Sequence, residues 1–273
     1  EYVIDRFIDS YMCGGTPNPC VDCNRFIKFS KLLEIANEEG FDYVVTGHYA
    51  QVAFVEETSR YVLKKGLDES KDQSYVLYSL NQEALAHIKL PLGELSKAEV
   101  REIAEQNGFV NANKKDSQDI CFVPDGKYAD FITQYTGKSF PDGDFVDLNG
   151  NVLGTHKGII RYTIGQRKGL NLALPQPMYV CKKDVDKNVV TLCLNDELFS
   201  TELIADDVNF ISIKELTEPM KVKAKIRYKH NEADATLYPN SNGTVKLVFD
   251  EPQRAITSGQ AVVMYDGNTV VAG

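Results

Sequence analysis

Hydrophobic positions follow a helical period in the first third of the chain and become strand-like towards the end. Helices are predicted over 2–12, 25–39 and 97–107, where the apolar pattern has roughly helical spacing. The run 43–46, Tyr-Val-Val-Thr, is short, apolar and β-branched, which is typical of a buried parallel strand. Because helix and strand alternate here, this part is predicted to be α/β with a parallel sheet.

Turn signals mark the places where the pattern changes. Segments 51–55 and 60–64 flank Glu-Glu-Thr-Ser and predict a hairpin. After Phe140, Asp-Gly and Asn-Gly dipeptides separate short β-rich runs, and from Phe210 onwards the pattern is almost entirely strand. The sequence therefore predicts an α/β domain, a small central β-rich domain and a C-terminal β domain, at 1–130, 131–202 and 203–273.

Composition limits the classes of protein that remain. The 273 residues are enough for two or three domains, and no run of about 18 apolar residues predicts a membrane span. No signal-peptide pattern opens the sequence, so a cytoplasmic protein with reduced thiols is expected from its six cysteines. The net charge of −9 argues against a protein that binds nucleic acid over its whole surface, but it leaves a local basic face open.

One such face is predicted in the segment 221–229. As a strand, this segment would place five basic side chains on one face, ~7 Å apart, because a strand rises ~3.3 Å per residue. That spacing suits contact with successive phosphates of a nucleic acid. The alternative is a solvated outer strand face. The five are Lys221, Lys223, Lys225, Arg227 and Lys229.

The loop before the second helix carries the strongest candidate chemistry. Pro17 and Pro19 stiffen the backbone that leads to Cys20 and Cys23. A Cys-x-x-Cys pair is compatible with half of a zinc site, with a redox or nucleophilic pair, or with part of an iron–sulfur site. Cys121 would bring the number of sulfur ligands to three, one short of a closed four-ligand site.

Two further groups have both structural and functional interpretations. Lys71, Asp72 and Gln73 precede a predicted helix, so Asp72 could simply cap it, or the trio could contact a ligand. Gly47 and His48 follow a predicted strand end, where ligands bind in open α/β sheets. A lone histidine is nevertheless more often a structural hydrogen-bonding group than a catalyst.

Several motifs in order resemble the tRNA-specific 2-thiouridylase family, and the resemblance runs through essentially the whole chain. It implies a fold in which the remnant of a parallel-sheet PP-loop ATP pyrophosphatase domain is followed by a central β-rich tRNA-binding domain and a C-terminal antiparallel β-barrel. The motifs are Thr16–Asn24, Thr46–Tyr49, Lys71–Tyr75, Lys114–Phe122, Tyr162–Leu170 and Ala255–Tyr265.

The resemblance also implies a reaction. ATP, with Mg²⁺, would adenylate the C2 oxygen of the wobble uridine in tRNA, and a cysteine persulfide would deliver sulfur to give 2-thiouridine, AMP and pyrophosphate. The sulfur would come from an upstream persulfide carrier or a cysteine desulfurase. Cys121 would hold the persulfide, and Cys23 would release its sulfur or resolve it as a Cys23–Cys121 disulfide.

Other residues take their roles from the matching motifs. Asn18, Pro19 and Cys20 would line the target base, and Gly47 would contact the adenine nucleotide. The residues that would contact tRNA are Lys71, Asp72, Gln73, Arg227 and Tyr228.

The sequence departs from the family pattern in two ways. Many members have Asp where this chain has Cys20, which raises an iron–sulfur cluster on Cys20, Cys23 and Cys121 as an alternative, within a tRNA-binding module. The Ser-Gly-Gly-x-Asp-Ser-Ser type of nucleotide loop is absent from this sequence. The chain is therefore predicted to be an N-terminally truncated product that binds ATP weakly by itself.

Overall fold

The computed structural model describes residues 1–114, 120–123, 125–241 and 243–273. A π-helical segment, Cys23–Lys31, joins the α-helices Pro19–Asp22 and Leu32–Glu38 without a break. Short 3₁₀ turns lie at Ser74–Leu77, Pro91–Glu94, Ile159–Arg161 and Asn195–Leu198. Within the described residues, the α-helices are α1 (Ile4–Met12), α2 (Pro19–Asp22), α3 (Leu32–Glu38), α4 (Gln82–Ala86), α5 (Lys97–Gln106) and α6 (Tyr128–Thr136).

A short parallel pair organises the first part of the chain. Strand β1 (Val44–Val45) pairs with β4 (Ile88–Lys89), which confirms the predicted parallel strand. The helical segment that ends in α3 contributes Phe29 and Leu33 to the hydrophobic core shared with these strands. The carboxyl end of β1 therefore lies beside the helix that carries Cys20 and Cys23.

Helix α5 begins with the predicted capping box. The Ser96 hydroxyl accepts a hydrogen bond from the Glu99 amide at 3.3 Å, and the Ser96 amide donates to Glu99 Oε2 at 2.7 Å. None of the residues of α5 is buried, so packing contributes little to its stability. Local capping therefore has unusual weight for this helix.

Ser96→Ala is expected to lower the free energy of unfolding by about 1 kcal/mol, because the Glu99 amide loses its side-chain acceptor and the Glu99 carboxylate loses the Ser96 hydroxyl. Urea denaturation would measure the change. Ser30→Ala is the matched control, since Ser30 is also exposed and helical but lies inside the π-helical segment. Equal effects of the two substitutions would contradict a capping role for Ser96.

Four strands form the central sheet within the described residues. Their order is β6-β5-β8-β7, with β5 parallel to β8 and the other pairs antiparallel. Phe145 is fully buried there and meets the Tyr162 ring edge-on at 5.1 Å. Phe7 of α1 belongs to the same core. The strands are β5 (Gly143–Val146), β6 (Val152–His156), β7 (Tyr179–Asp184) and β8 (Val189–Cys193).

The largest sheet of the described chain has eight antiparallel strands, in the order β2-β3-β14-β13-β10-β11-β12-β9. The predicted hairpin forms β2 and β3, and it joins this sheet where Lys64 pairs with Thr269. The strands are β2 (Ala50–Val55), β3 (Arg60–Lys65), β9 (Phe199–Ala205), β10 (Met220–Lys225), β11 (Ala233–Pro239), β12 (Val245–Arg254), β13 (Val263–Asp266) and β14 (Thr269–Ala272).

The predicted fold class is confirmed by these sheets: a parallel pair flanked by helices, a central β-rich unit and a C-terminal antiparallel sheet. The exact domain boundaries stay predictions. Within the described ranges, no helix has both the length and the apolar character that crossing a membrane would require.

One strand prediction is wrong in its extent. Strand β10 ends at Lys225, so Arg227 and Lys229 do not continue a single basic strand face. Strands β11 and β12 also supply acids, because Lys223 pairs with Asp234 at 3.5 Å and Lys221 pairs with Asp250 at 3.0 Å. Pattern along one strand could not reveal these cross-strand carboxylates.

Candidate active site and RNA-contact cluster

The cysteine loop ends in a helix start. Asn18 is the N-cap of α2, and its side-chain oxygen accepts from the Cys20 amide at 3.1 Å. Pro19 occupies the first turn and is buried, where its missing N–H costs nothing. Of the three residues predicted to line the target base, Cys20 is exposed, whereas Asn18 and Pro19 hold the backbone that presents it.

The structure brings the three candidate cysteines into one neighbourhood. Burial raises the pKa of the Cys20 thiol, and the charges of Cys23 and Cys121 raise it further, whereas the Lys28 ammonium lowers it. All three are free thiols; Cys121 is exposed and Cys23 is half-buried. Sulfur exchange requires a thiolate that another sulfur can reach, and this cluster supplies candidates for both partners.

Cys121 is positioned through its neighbour. The Phe122 ring meets the Phe7 ring of α1 edge-on at 5.3 Å, and Phe7 is fully buried. The Cys121 motif is thereby attached to the end of the molecule that carries α1 and the cysteine loop. Residues 115–119 of the same motif lie outside the described residues.

The carboxyl end of β1 forms the second side of the site. Gly47 is exposed there, and a Cβ atom at this position would come within 3.3 Å of Leu92 Cδ1. The absence of a side chain leaves an open backbone at a parallel strand end, which fits close approach of a nucleotide. Gly47 thus lies where a nucleotide contact is chemically reasonable.

His48 is held by its neighbours. Its Nε2 accepts from the Lys28 ammonium at 3.5 Å, so Nδ1 carries the proton and donates to Thr46 Oγ1 at 2.8 Å. Burial, followed by the Lys28 charge, lowers the pKa of His48 to about 4. The ring is therefore neutral near pH 7, as the structural interpretation of this histidine anticipates.

The two groups predicted to contact tRNA meet in space. The Tyr228 hydroxyl donates to the backbone oxygen of Asp72 at 3.3 Å, although the residues are 156 positions apart. The Tyr228 ring also lies 5.8 Å from the Tyr75 ring. The segments 71–75 and 227–228, which the sequence analysis could only treat separately, therefore form one surface.

Within this surface, the side chains of Asp72 and Gln73 accept hydrogen bonds from backbone amides. Asp72 Oδ1 accepts from the amides of Gly66 and Ser74 at 3.1 and 3.0 Å, and Gln73 Oε1 accepts from the Tyr49 amide at 3.0 Å. The capping interpretation of Asp72 thus holds in a modified form, since its carboxylate bonds the Ser74 amide at the start of a 3₁₀ turn.

Arg227 faces inward. Its Nη2 donates to the Ala255 carbonyl and to Thr257 Oγ1, the latter at 2.9 Å. Burial lowers the pKa of Arg227, and the Arg254 charge lowers it further. Part of this guanidinium is committed to the 255–257 loop, so Arg227 positions that loop whatever else it contacts.

A cleft of about 1020 Å³ opens beside the cysteine loop. It runs between that loop, β9 and the segment 256–262, and it is large enough for a nucleotide-sized group. The lining includes Arg6, Asn18, Arg25, Asp207, Thr257 and Gln260.

In the part of the chain that the structure covers, no group of three or more His, Cys, Asp or Glu side chains is arranged to hold a metal ion. The iron–sulfur alternative on Cys20, Cys23 and Cys121 therefore gains no support from the side-chain arrangement.

Sequence analysis missed Lys28, which contacts His48 beside the strand end. Only its spacing of eight residues from Cys20, about two helical turns, could have singled it out among 30 lysines and arginines.

Comparison with known proteins agrees with the three-part architecture. Residues 1–125 match a tRNA methyl transferase HUP domain, 129–194 match a tRNA methyl transferase PRC-barrel domain, and 200–273 match an aminomethyltransferase beta-barrel domain. The tRNA-specific 2-thiouridylase MnmA of Acetivibrio thermocellus is 53% identical over 99% of this chain and 76% of its own length. The chain belongs to the tRNA-specific 2-thiouridylase family.

Other members of the 2-thiouridylase family give the same result. The tRNA-specific 2-thiouridylase MnmA of Clostridioides difficile is 52% identical over all of this chain and 76% of its own length. One of the Thermoanaerobacter proteins of that name is 53% identical, again over the whole chain. The predicted membership of a family of tRNA-modifying sulfurtransferases is thereby confirmed.

Proposed function

We propose that the complete gene product containing this chain transfers sulfur to C2 of the wobble uridine in tRNA, with ATP as the activating substrate. The relatives' name, tRNA-specific 2-thiouridylase, supports the substrate and the product. The observation that carries the proposal is the proximity of Cys23 and Cys121 to Cys20, on a helical segment that packs beside a parallel strand end.

The cysteines divide the sulfur chemistry between them. A persulfide carrier or a cysteine desulfurase would load sulfur onto Cys121, which is exposed and so can be reached by another protein. The terminal sulfur then attacks C2 of the adenylated uridine, and the C2–O electron pair leaves with AMP. The Cys23 thiolate attacks Cys121 Sγ and breaks the S–S bond, which leaves 2-thiouridine and a Cys23–Cys121 disulfide for a thiol to reduce.

A variant of this route uses Cys23 earlier. Its thiolate could attack the Cys121 sulfur first and release hydrosulfide, which would then attack the activated base. Both routes need two thiols within reach of each other and a base held beside them. The adenylation step needs ATP with Mg²⁺, and Gly47 is the residue of this chain proposed to contact the nucleotide.

The tRNA would lie across two regions. Asn18, Pro19 and Cys20 are proposed to border the target base, and Asn18 also lines the cleft. Lys71, Asp72, Gln73, Arg227 and Tyr228 are proposed to form the second contact, and the hydrogen bond between Tyr228 and Asp72 supports treating them as one surface. A cytoplasmic location follows from the need for tRNA, ATP and reduced thiols, and is part of the proposal.

The direct test is to incubate the complete gene product with unmodified tRNA, ATP, Mg²⁺ and a persulfide donor, then to digest the RNA. Mass spectrometry is expected to find 2-thiouridine, in an amount that depends on ATP. The same protein without ATP is the control. Binding of tRNA without any 2-thiouridine would refute the sulfurtransferase proposal and favour a binding module.

A further inference from the structure

Lys28 connects the sulfur site to the strand end. It lies on the π-helical segment that begins at Cys23, and its ammonium reaches 3.5 Å from His48 Nε2, next to Gly47. Its charge also acts on the Cys20 thiol. One cation is therefore close to both the sulfur chemistry and the place proposed for the nucleotide.

Lys28 has no acidic partner in the part of the chain that the structure describes. Among the described residues, no carboxylate lies within ion-pair distance of its ammonium, although the side chain is partly buried. Lys31, three positions later, is exposed and pairs with Glu34 at 2.6 Å. The residue that Lys28 hydrogen-bonds within the described ranges, His48, is uncharged near pH 7. A partly buried cation beside a neutral ring is an arrangement suited to an anionic ligand.

The proposed reaction supplies an anion whose charge grows. While it joins the uridine oxygen to adenosine, the phosphate is a diester with one negative charge. When sulfur attacks C2, the C2–O bond breaks, its electron pair stays on oxygen, and AMP leaves as a monoester with a second negative charge. A fixed ammonium at that phosphate stabilises the transition state more than the reactant, and that difference accelerates the step.

We propose that Lys28 contacts this phosphate and stabilises AMP as the leaving group during sulfur attack. This inference rests on the proposed function and adds to it a catalytic residue beyond the two cysteines. The neutral His48 orients the ammonium without competing for the phosphate as a second cation. The role requires a positive charge at Lys28 and does not require a proton from it.

The test uses the complete gene product and its Lys28→Met, Lys28→Arg and Lys31→Met variants. Tritiated uridine in tRNA and ATP labelled at the α-phosphate would follow thiolation and adenylation separately in a single turnover. Lys28→Met is expected to slow thiolation by roughly 10²-fold, with tRNA-bound AMP accumulating and pyrophosphate release nearly unchanged. Lys28→Arg is expected to recover much of the rate, and Lys31→Met to match the parent.

The outcomes separate the two proposals. Parent-like thiolation by Lys28→Met, or an equal loss of adenylation and thiolation, would overturn the role of Lys28 alone. No 2-thiouridine from the parent would remove the proposed function, and this inference with it. Thermal unfolding of each variant guards against misfolding, and the accumulation of tRNA-bound AMP is a signal that a merely structural lysine would not produce.

Discussion

Cys23→Ser and Cys121→Ser are each expected to abolish 2-thiouridine formation in the complete gene product, a fall of roughly 10³-fold or more. A serine hydroxyl cannot carry a sulfane sulfur and is not ionised near neutral pH. In the proposed order, Cys121→Ser prevents loading of the persulfide, whereas Cys23→Ser leaves the loaded sulfur without its second thiol. The two variants should therefore fail at different steps.

Mass spectrometry of the protein after incubation with a persulfide donor would distinguish these steps. Cys23→Ser is expected to retain an additional sulfur on the peptide that contains Cys121, and Cys121→Ser is expected to lack it. Cys13→Ser is the matched control, because Cys13 is an exposed thiol at the end of α1. Product that survives both active-site changes would mean that these cysteines are structural and that the chemistry lies elsewhere.

Phe7→Ala is expected to lower the free energy of unfolding by about 3–5 kcal/mol, since it leaves a cavity in the central core. Phe7 is fully buried, and its ring contacts both Tyr11, at 4.9 Å, and Phe122, at 5.3 Å. Because Phe122 is adjacent to Cys121, loss of the Phe7 ring should also reduce the rate of sulfur transfer.

Denaturant unfolding and single-turnover thiolation would measure these two effects. Phe109→Ala is the control for stability, because 60% of the Phe109 side chain is exposed; a change within ±0.5 kcal/mol is expected. Phe7→Leu keeps most of the buried volume and removes the aromatic contact with Phe122. If Phe7→Leu folds stably and transfers sulfur at the parent rate, the ring contact does not position Cys121.

Local signals predicted local structure well. The capping box at Ser96, the hairpin at 51–55 and 60–64, and the strand before Gly47 all appear at or within a residue or two of their predicted places. Each depends on neighbours a few positions away, through side-chain capping, turn geometry or β-branching. The residues that make such interactions lie close together in the sequence, so the interactions can be inferred without knowledge of the fold.

The basic row 221–229 shows why the same method failed elsewhere. Alternation along one strand identifies a face, but it says nothing of the charges that other strands of the sheet bring to that face. Asp234 and Asp250 lie on β11 and β12, and they neutralise Lys223 and Lys221 across the sheet. Arg227, beyond the strand end, turns towards the Ala255 carbonyl.

The amino-acid sequence by itself determined the local elements, the change from an α/β pattern to a β pattern and, through its motifs, the family. It also supplied the residues that are proposed to carry the chemistry. Tertiary structure decided which of those residues meet. Tyr228 reaches Asp72, Lys28 reaches His48, and Phe122 reaches Phe7. These contacts join distant segments, and they form only when the elements pack around shared cores, so no local pattern could have specified them.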